Sequence, residues 1–431
     1  MRVIRQPART TWPELCKRAT APMKEMESLV QEVFDAVKHD GDKAILRYTS
    51  QFDGVELHDL RVSREEVEKA VQQVPEALKR AIIIAKNNIH AFHNAQKPKG
   101  IEVETMAGVR CWQTYQAIEK VGLYIPGGTA PLFSTLLMLA VPARIAGCKD
   151  IVICTPPRED GSVDPAVLYT ASLCGVDTIC KVGGIQAIGA LTYGTESIPG
   201  VYKIFGPGNQ YVTAAKNFAT KLGLAIDMPA GPSELMVIAD ASANPEFIAA
   251  DLLSQAEHGV DSQVILLTPS EELIEKVKEQ LDMQLPQLPR AAIADEVLAN
   301  SSAISFRERE DIVDFMNAYA PEHLIINTSE NVYYADNVRN AGSVFIGPLT
   351  PESAGDYASG TNHTLPTNGY AKQYSGLTLQ AFMKSITFQE INATGLQSLG
   401  NTIETMAEAE NLWGHKNAVS VRLQTLKNKD A

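Results

Sequence analysis

Residues 121–210 repeat one rhythm: a short apolar run, then a helical segment, with a glycine turn at three of the four junctions. The runs cover 121–125, 150–154, 178–182 and 203–205. The turns are Pro126-Gly127-Gly128, Gly183-Gly184 and Gly206-Pro207-Gly208-Asn209. Strands that alternate with helices run parallel, because the helix is what carries the chain back across the sheet. That confines the region to an α/β fold with crossover helices. None of the turns spells Gly-x-Gly-x-x-Gly, so a dinucleotide held here departs from the usual fingerprint. Each turn alone reads as tight packing; three between strand and helix point to a ligand edge, where backbone N–H groups and helix dipoles hold phosphate.

Further apolar runs at 234–239, 263–268, 323–326 and 342–346, with a helical 251–258 between the first two, predict a second α/β unit. Residues 1–120 read mostly as helix. Met26, Leu29, Val30, Val33, Phe34 and Val37 repeat at the helical period, and Ser63-Arg-Glu-Glu66 spells a capping box. The expected organisation begins with an N-terminal arm (1–20) and a discontinuous first α/β domain (21–120 and 236–374) with the metal and catalytic residues. A second α/β domain (121–235) holds the cofactor contacts, and a charged, helical C-terminal element (375–431) closes the chain.

Composition narrows the function. With 431 residues and 45% hydrophobic content, the chain suits two to four globular domains of roughly 100–200 residues each. Acidic residues outnumber basic ones 51 to 38, a formal charge of −13, which argues against nucleic acid or an anionic membrane as partner. The opening Met1-Arg-Val-Ile-Arg-Gln6 lacks the apolar core of a secretion signal. The longest apolar stretch, 131–143, is interrupted by Ser134, Thr135 and Pro142 and falls short of the roughly 20 residues a membrane span needs. Six cysteines without a Cys-x-x-Cys pair read as reduced thiols, so the expected location is the cytoplasm.

Four of the eight histidines, His258, His323, His363 and His415, sit in polar, punctuated segments after a gap that runs from His93. Gln255 and His258 are three apart on an expected helix and face one way, so an amide oxygen and an imidazole nitrogen can share a divalent ion. The spacing is not a standard zinc motif, and a helix terminus capped at Gly259 reads equally well. Asp356, in an expected loop, is an oxygen ligand or an Asx turn. Glu322 and His323 are adjacent; in a regular strand they point to opposite faces, and on spacing alone one of them faces solvent. Pro321 marks a strand entrance, where irregular backbone can aim both inward.

Taken together, the blocks VGLYIPGGTAPLFST (121–135), KIFGPGNQYV (203–212), DMPAGPSE (227–234), LLSQAEHGVDSQVILLT (252–268), PEHLII (321–326), PESAGDYASGTNHTLPT (351–367) and HKNAV (415–419) closely resemble the histidinol dehydrogenase family, over about residues 20–425. The resemblance implies two incomplete Rossmann-like domains with parallel sheets, small helical terminal elements and a homodimer with shared active sites. It implies a four-electron oxidation of L-histidinol to L-histidine through the aldehyde, with two NAD and one zinc ion per subunit. Its zinc ligands fall on Gln255, His258, Asp356 and His415, the last reaching across from the partner subunit. Its substrate contacts fall on those four residues with Ser233, His323 and Glu410, its cofactor contacts on Tyr124, Gln186 and Asn209, and its catalytic pair on Glu322 and His323. A neutral imidazole, with an unperturbed pKa near ~6.5, suits removal of a hydroxyl proton as hydride departs. Glu322 is the candidate for activating water at the aldehyde stage, and His363 is left with a structural role. Two rival readings are a relative that oxidises another alcohol, such as a sulfonated diol, and a zinc hydrolase.

Overall fold

The computed structural model describes residues 1–18, 23–127, 131–229 and 231–430. Gly128 of the first glycine turn and Ala230 of the 227–234 block fall outside them. In chain order the strands begin with β1 (Arg2–Arg5), β2 (Ile101–Met106), β3 (Val109–Ala117), β4 (Lys120–Tyr124), β5 (Asp150–Thr155), β6 (Thr178–Lys181) and β7 (Lys203–Phe205). They continue with β8 (Ala225–Ile226), β9 (Glu234–Ala239), β10 (Gln263–Thr268), β11 (Ser302–Ser305), β12 (His323–Asn327), β13 (Ser343–Ile346) and β14 (Met383–Ile391).

Residues 1–96 with 118–382 form one compact unit, and 97–117 with 383–431 a second. The first unit is α/β and contains two parallel sheets, as expected. A five-stranded sheet has the order β6-β5-β4-β7-β8 and a six-stranded one the order β1-β11-β10-β9-β12-β13. The four inner strands of the six-stranded sheet, β9 to β12, are buried on both faces, which is why they read as continuous apolar runs. Leu235, Val237 and Ala239 of β9 join one core, and Met236 and Ile238 join the core on the opposite face.

Three expectations need correction. The helices Met23–Asp40 and Asp42–Asp53 pack on the five-stranded sheet: Val30, Val33, Phe34, Val37 and Ile45 share a core with Val152, Ile188 and Ile204. Residues 23–53 therefore pack with 121–235 rather than with 236–374, whereas Asn88 and His93 further on bond to Ala358 and Asn362, because an amphipathic stripe specifies that a face is buried and not which sheet buries it. The N-terminal arm is not separate, since β1 pairs in parallel with β11 from Arg2↔Ser302 to Arg5↔Ser305. The C-terminal element is not wholly helical, since β14 pairs antiparallel with β3, which pairs with β2.

The second unit is that three-stranded sheet together with the helices Ala393–Ala409 and Trp413–Asp430, which pack on each other. Trp112 stacks on its cross-strand partner Phe388 at 5.2 Å. The capping box forms as read: Ser63 Oγ accepts the Glu66 N–H and Glu66 returns the bond to Ser63. Among the described residues, no helix is long and apolar enough to cross a membrane.

Candidate active site

Glu322 and His323 occupy the amino end of β12. The helix Arg309–Tyr319 closes at Ala320, whose φ of 56° is left-handed and whose N–H donates to the Met316 carbonyl at 2.8 Å. The reversal leaves Glu322 one residue short of the strand. Gly342 N–H donates to Pro321 O and Ser343 N–H to Glu322 O, both at 2.9 Å. A Cβ on Gly342 would lie 2.5 Å from the Glu322 carbonyl oxygen, so this approach requires glycine. Both neighbours are consequently buried, at 6% and 3% exposure, rather than one facing solvent.

The imidazole is ringed by carboxylates. Its Nδ1 lies 3.1 Å from the Glu234 carbonyl oxygen, 3.4 Å from Glu352 Oε1 and 3.6 Å from Glu322 Oε2. Facing only acceptors, Nδ1 carries the proton in the neutral ring. Nε2 stands 3.5 Å from Asp356 Oδ1 and makes no hydrogen bond; in the neutral ring it is the nitrogen that carries the lone pair. Glu322 Oε2 accepts the Glu234 N–H at 2.8 Å. Burial pushes Glu322 up to about 8, moderated by His323. Burial also raises Glu352. Burial opposes charge on His323, but Glu322, Glu352 and Asp356 outweigh it and hold the imidazole well above its ordinary range.

Gln255 lies in the last turn of the helix Pro245–Ala256, which stops two residues before His258. The following turn still brings His258 Nδ1 to 3.2 Å from Gln255 Nε2. Gln255 Oε1 is buried without a hydrogen-bond partner. Burial keeps His258 below the usual histidine range, against the pull of Asp356. Asp356 lies on the short helix Glu352–Tyr357, not in a loop, one turn after Glu352. Burial opposes its charge, but His323, with His363 and His258, holds it below the usual carboxylate range. An orphaned amide oxygen, a neutral imidazole and an ionised carboxylate suit a divalent ion such as zinc. Ligand atoms of His323, Glu352 and Asp356 also lie within 4.8 Å of one another. Sequence reading missed Glu352; its spacing of four from Asp356 becomes informative only once that stretch is known to be helical.

The sequence-predicted cofactor residues cluster at the carboxyl ends of the five-stranded sheet, where its strand order reverses between β4 and β7. Tyr124 ends β4, and its hydroxyl accepts the Gly184 N–H at 3.2 Å. Burial lifts that phenol to about 12. Gln186, in the first turn of the helix Gly184–Tyr193, is fully buried; its Nε2 lies 3.5 Å from Asp53 Oδ2, and its Oε1 has no partner. Asn209 caps the helix Gln210–Lys221 by accepting the Tyr211 and Val212 N–H groups at 3.1 Å each. Gly206 has φ 126°, and a Cβ there would sit 2.1 Å from the Tyr124 carbonyl oxygen. Its N–H donates to Asp227 Oδ2 at 2.8 Å and its carbonyl accepts from Lys216 Nζ at 2.8 Å.

A family model described as histidinol dehydrogenase matches residues 16–423. The chain belongs to the histidinol dehydrogenase family. It is 57% identical over 427 residues to a histidinol dehydrogenase of Bacteroides thetaiotaomicron, covering 99% of this chain and 100% of that one. It is 50% identical over 417 residues to the Escherichia coli K12 protein of the same name, covering 96% and 95%. The crystal structure of histidinol dehydrogenase from Elizabethkingia anophelis superposes with a TM-score of 0.97 at 53% identity, covering 99% of each chain.

The remaining residues marked by likeness to histidinol dehydrogenase are placed as follows. Ser233 precedes β9 directly, and its carbonyl accepts the Gln263 N–H at 3.1 Å. Glu410 terminates the helix Ala393–Ala409 of the second unit, and His415 lies in the first turn of Trp413–Asp430; both are exposed. His363 bridges two elements: its Nδ1 is 2.9 Å from the Asp356 carbonyl oxygen and its Nε2 is 3.1 Å from Thr135 Oγ1. Thr135 belongs to the helix Phe133–Ala146 that follows β4 and the first glycine turn.

Proposed function

We propose that this chain oxidises L-histidinol to L-histidine through histidinaldehyde, reducing two NAD, as the closing reactions of histidine biosynthesis. The family match over nearly the whole chain carries this reading, together with the buried Glu322–His323 pair and its unengaged Nε2. In its division of labour, the carboxyl ends of the five-stranded sheet hold NAD through Tyr124, Gln186 and Asn209. The amino ends of the six-stranded sheet hold substrate and metal. Gln255, His258, Asp356 and the partner subunit's His415 would bind one zinc ion, with Ser233 and Glu410 as further substrate contacts. When bound, zinc orients the substrate's imidazole and amine, and NAD supplies the hydride acceptor.

His323 performs the proton chemistry. Its Nε2 takes the hydroxyl proton as the alcohol gives up hydride, and general-base help of this kind is worth about 10²–10⁴-fold. Water then adds to the aldehyde to give the gem-diol: its oxygen bonds to carbon while Nε2–H returns the first proton to the carbonyl oxygen, which frees Nε2 for the second step. Glu322 in its ionised form takes that water's proton, and burial, which lifts its carboxyl to about 8, makes it a stronger base than an ordinary carboxylate. Nε2 takes the diol proton as the second hydride leaves, and the acid results. The hydrogen bonds from His363 to Asp356 and Thr135 support the reading that both sheets serve one centre.

A homodimer with shared sites and a cytoplasmic location belong to the same reading. Exposed Ile101 and Val103 on β2, Phe388 on β14, and Leu412 and Trp413 give the second unit the apolar surface that association needs. The test is absorbance of NADH on mixing the zinc-loaded protein with L-histidinol and NAD: two NADH per histidinol are expected. Turnover of a sulfonated diol but not histidinol overturns the assignment, and silence with both points to a hydrolase.

A further inference from the structure

Glu234, the first residue of β9, touches both members of the catalytic pair through its main chain. Its N–H donates to Glu322 Oε2 at 2.8 Å, and its carbonyl oxygen lies 3.1 Å from His323 Nδ1. What fixes this peptide is its own side chain. The Glu234 carboxylate takes a two-pronged contact from Arg18, with Nε and Nη2 each at 2.9 Å, and accepts the Asn368 N–H at 2.6 Å. Arg18 does more than neutralise it. The guanidinium lies 3.6 Å over the Tyr319 ring, and it donates to the Tyr319 carbonyl at 2.7 Å and to the Cys16 carbonyl at 2.8 Å. Tyr319 is the last helical residue before the Ala320 reversal that delivers Glu322. One side chain from the start of the sequence thus holds both backbones that converge on the pair: β9 through Glu234 and the approach to β12 through Tyr319. The side chains of Arg18 and Glu234 are 7% and 1% exposed, so solvent does not share the contact.

We infer that Arg18 and Glu234 are positioning residues for the oxidation, acting by holding the Glu234 peptide so that His323 keeps its proton on Nδ1 and presents Nε2 to substrate. The inference rests on the proposed role of Glu322 and His323. An imidazole whose Nδ1–H has a fixed carbonyl acceptor is locked in one tautomer and one ring orientation. If that carbonyl drifts, the proton exchanges between nitrogens and the lone pair loses its aim. Loss of outer hydrogen-bond partners typically costs about 10–100-fold in activity. Only a planar fork matches both carboxylate oxygens while stacking on an aromatic face, so lysine is an incomplete substitute.

The experiment compares full-length wild type, Arg18→Met, Arg18→Lys, Glu234→Gln and His323→Asn in steady-state NADH formation, below the melting temperature of each. Arg18→Met is expected to lower kcat by roughly 10–100-fold for both histidinol and histidinaldehyde, with KM for NAD unchanged. Arg18→Lys is expected to recover part of the loss. In ¹⁵N spectra, His323 is expected to show one tautomer in wild type and a mixture in Arg18→Met. A folded Arg18→Met with wild-type kcat, or with the wild-type tautomer, overturns the inference. Should Arg18→Met fail to fold, Glu234→Gln, which keeps the shape of the contact, decides in the same way: lowered kcat supports it and full kcat sinks it. A wild type that forms no NADH from histidinol overturns the functional reading itself, an outcome separate from a wild type that works and variants that work equally well.

Discussion

Replacing Lys216 by methionine tests how the cofactor edge is held. Lys216 Nζ reaches Asp227 Oδ1 at 2.5 Å and the Gly206 carbonyl at 2.8 Å, and the two side chains are only 4% and 1% exposed. Methionine fills much of the same space but leaves a buried carboxylate without its counter-ion, a change that costs about 3–5 kcal/mol. At ~2 °C per kcal/mol for a large domain, the melting temperature is expected to fall by roughly 6–10 °C. The loss is local to the 206–209 turn, because Asp227 also holds the Gly206 N–H, and that turn leads into Asn209. KM for NAD is therefore expected to rise about tenfold, equivalent to 1.4 kcal/mol, with histidinol KM little changed. Removing the carboxylate as well, in Lys216→Met/Asp227→Leu, is not expected to restore stability. It orphans the Gly206 and Met228 N–H groups, which Asp227 accepts at 2.8 and 2.7 Å, at about 1–3 kcal/mol each. Differential scanning calorimetry and NAD titration measure both quantities. A Lys216→Met protein with unchanged melting temperature and unchanged KM for NAD refutes the reasoning.

Three further outcomes are expected. His323→Asn should lose both oxidations, whereas Glu322→Gln should chiefly block oxidation of supplied aldehyde; equal loss of the alcohol step in Glu322→Gln contradicts the assigned roles. Burial lifts Asp53 to about 6, so its protonated form favours the fold: its contribution is intact below about pH 4 and lost as pH rises through 6. Asp53→Asn should accordingly gain roughly 1 kcal/mol at pH 8 and nothing at pH 4, after discounting the shift for partial exposure, and equal gains by denaturant titration at both pH values count against it. Mixing inactive His323→Asn and His415→Asn should restore activity through heterodimers with one complete centre; no recovery after demonstrated subunit exchange places His415 in its own subunit's site.

The sequence made the parallel sheets legible because each crossover prints itself locally as strand, glycine turn and helix. Strands paired at long range left no such mark. Arg2–Arg5 finds Ser302–Ser305 across most of the unit, and Met383–Ile391 pairs with Val109–Ala117 in a stretch that reads as charged and helical. Family likeness supplied Glu322 and His323, whereas spacing put one of them in solvent. What defeated spacing was a local reversal at Ala320, a residue with no intrinsic claim to positive φ. Arg18, Glu234 and Glu352 were invisible for another reason: each matters through a partner far away in the chain or through a helix of a single turn.

The six-stranded sheet carries Ser233, Glu322 and His323 where its strands begin. Where β9 and β12 finish, the two turns bond to each other, with Asp240 accepting the Ser329 N–H at 2.7 Å. Neither of these two turns contributes a residue to the candidate site. Insertions, tags or grafted binding loops between Ala239 and Pro245, or after Asn327, would sit a strand's length from the reacting atoms, so this side of the molecule is the place to build on without retuning the catalyst.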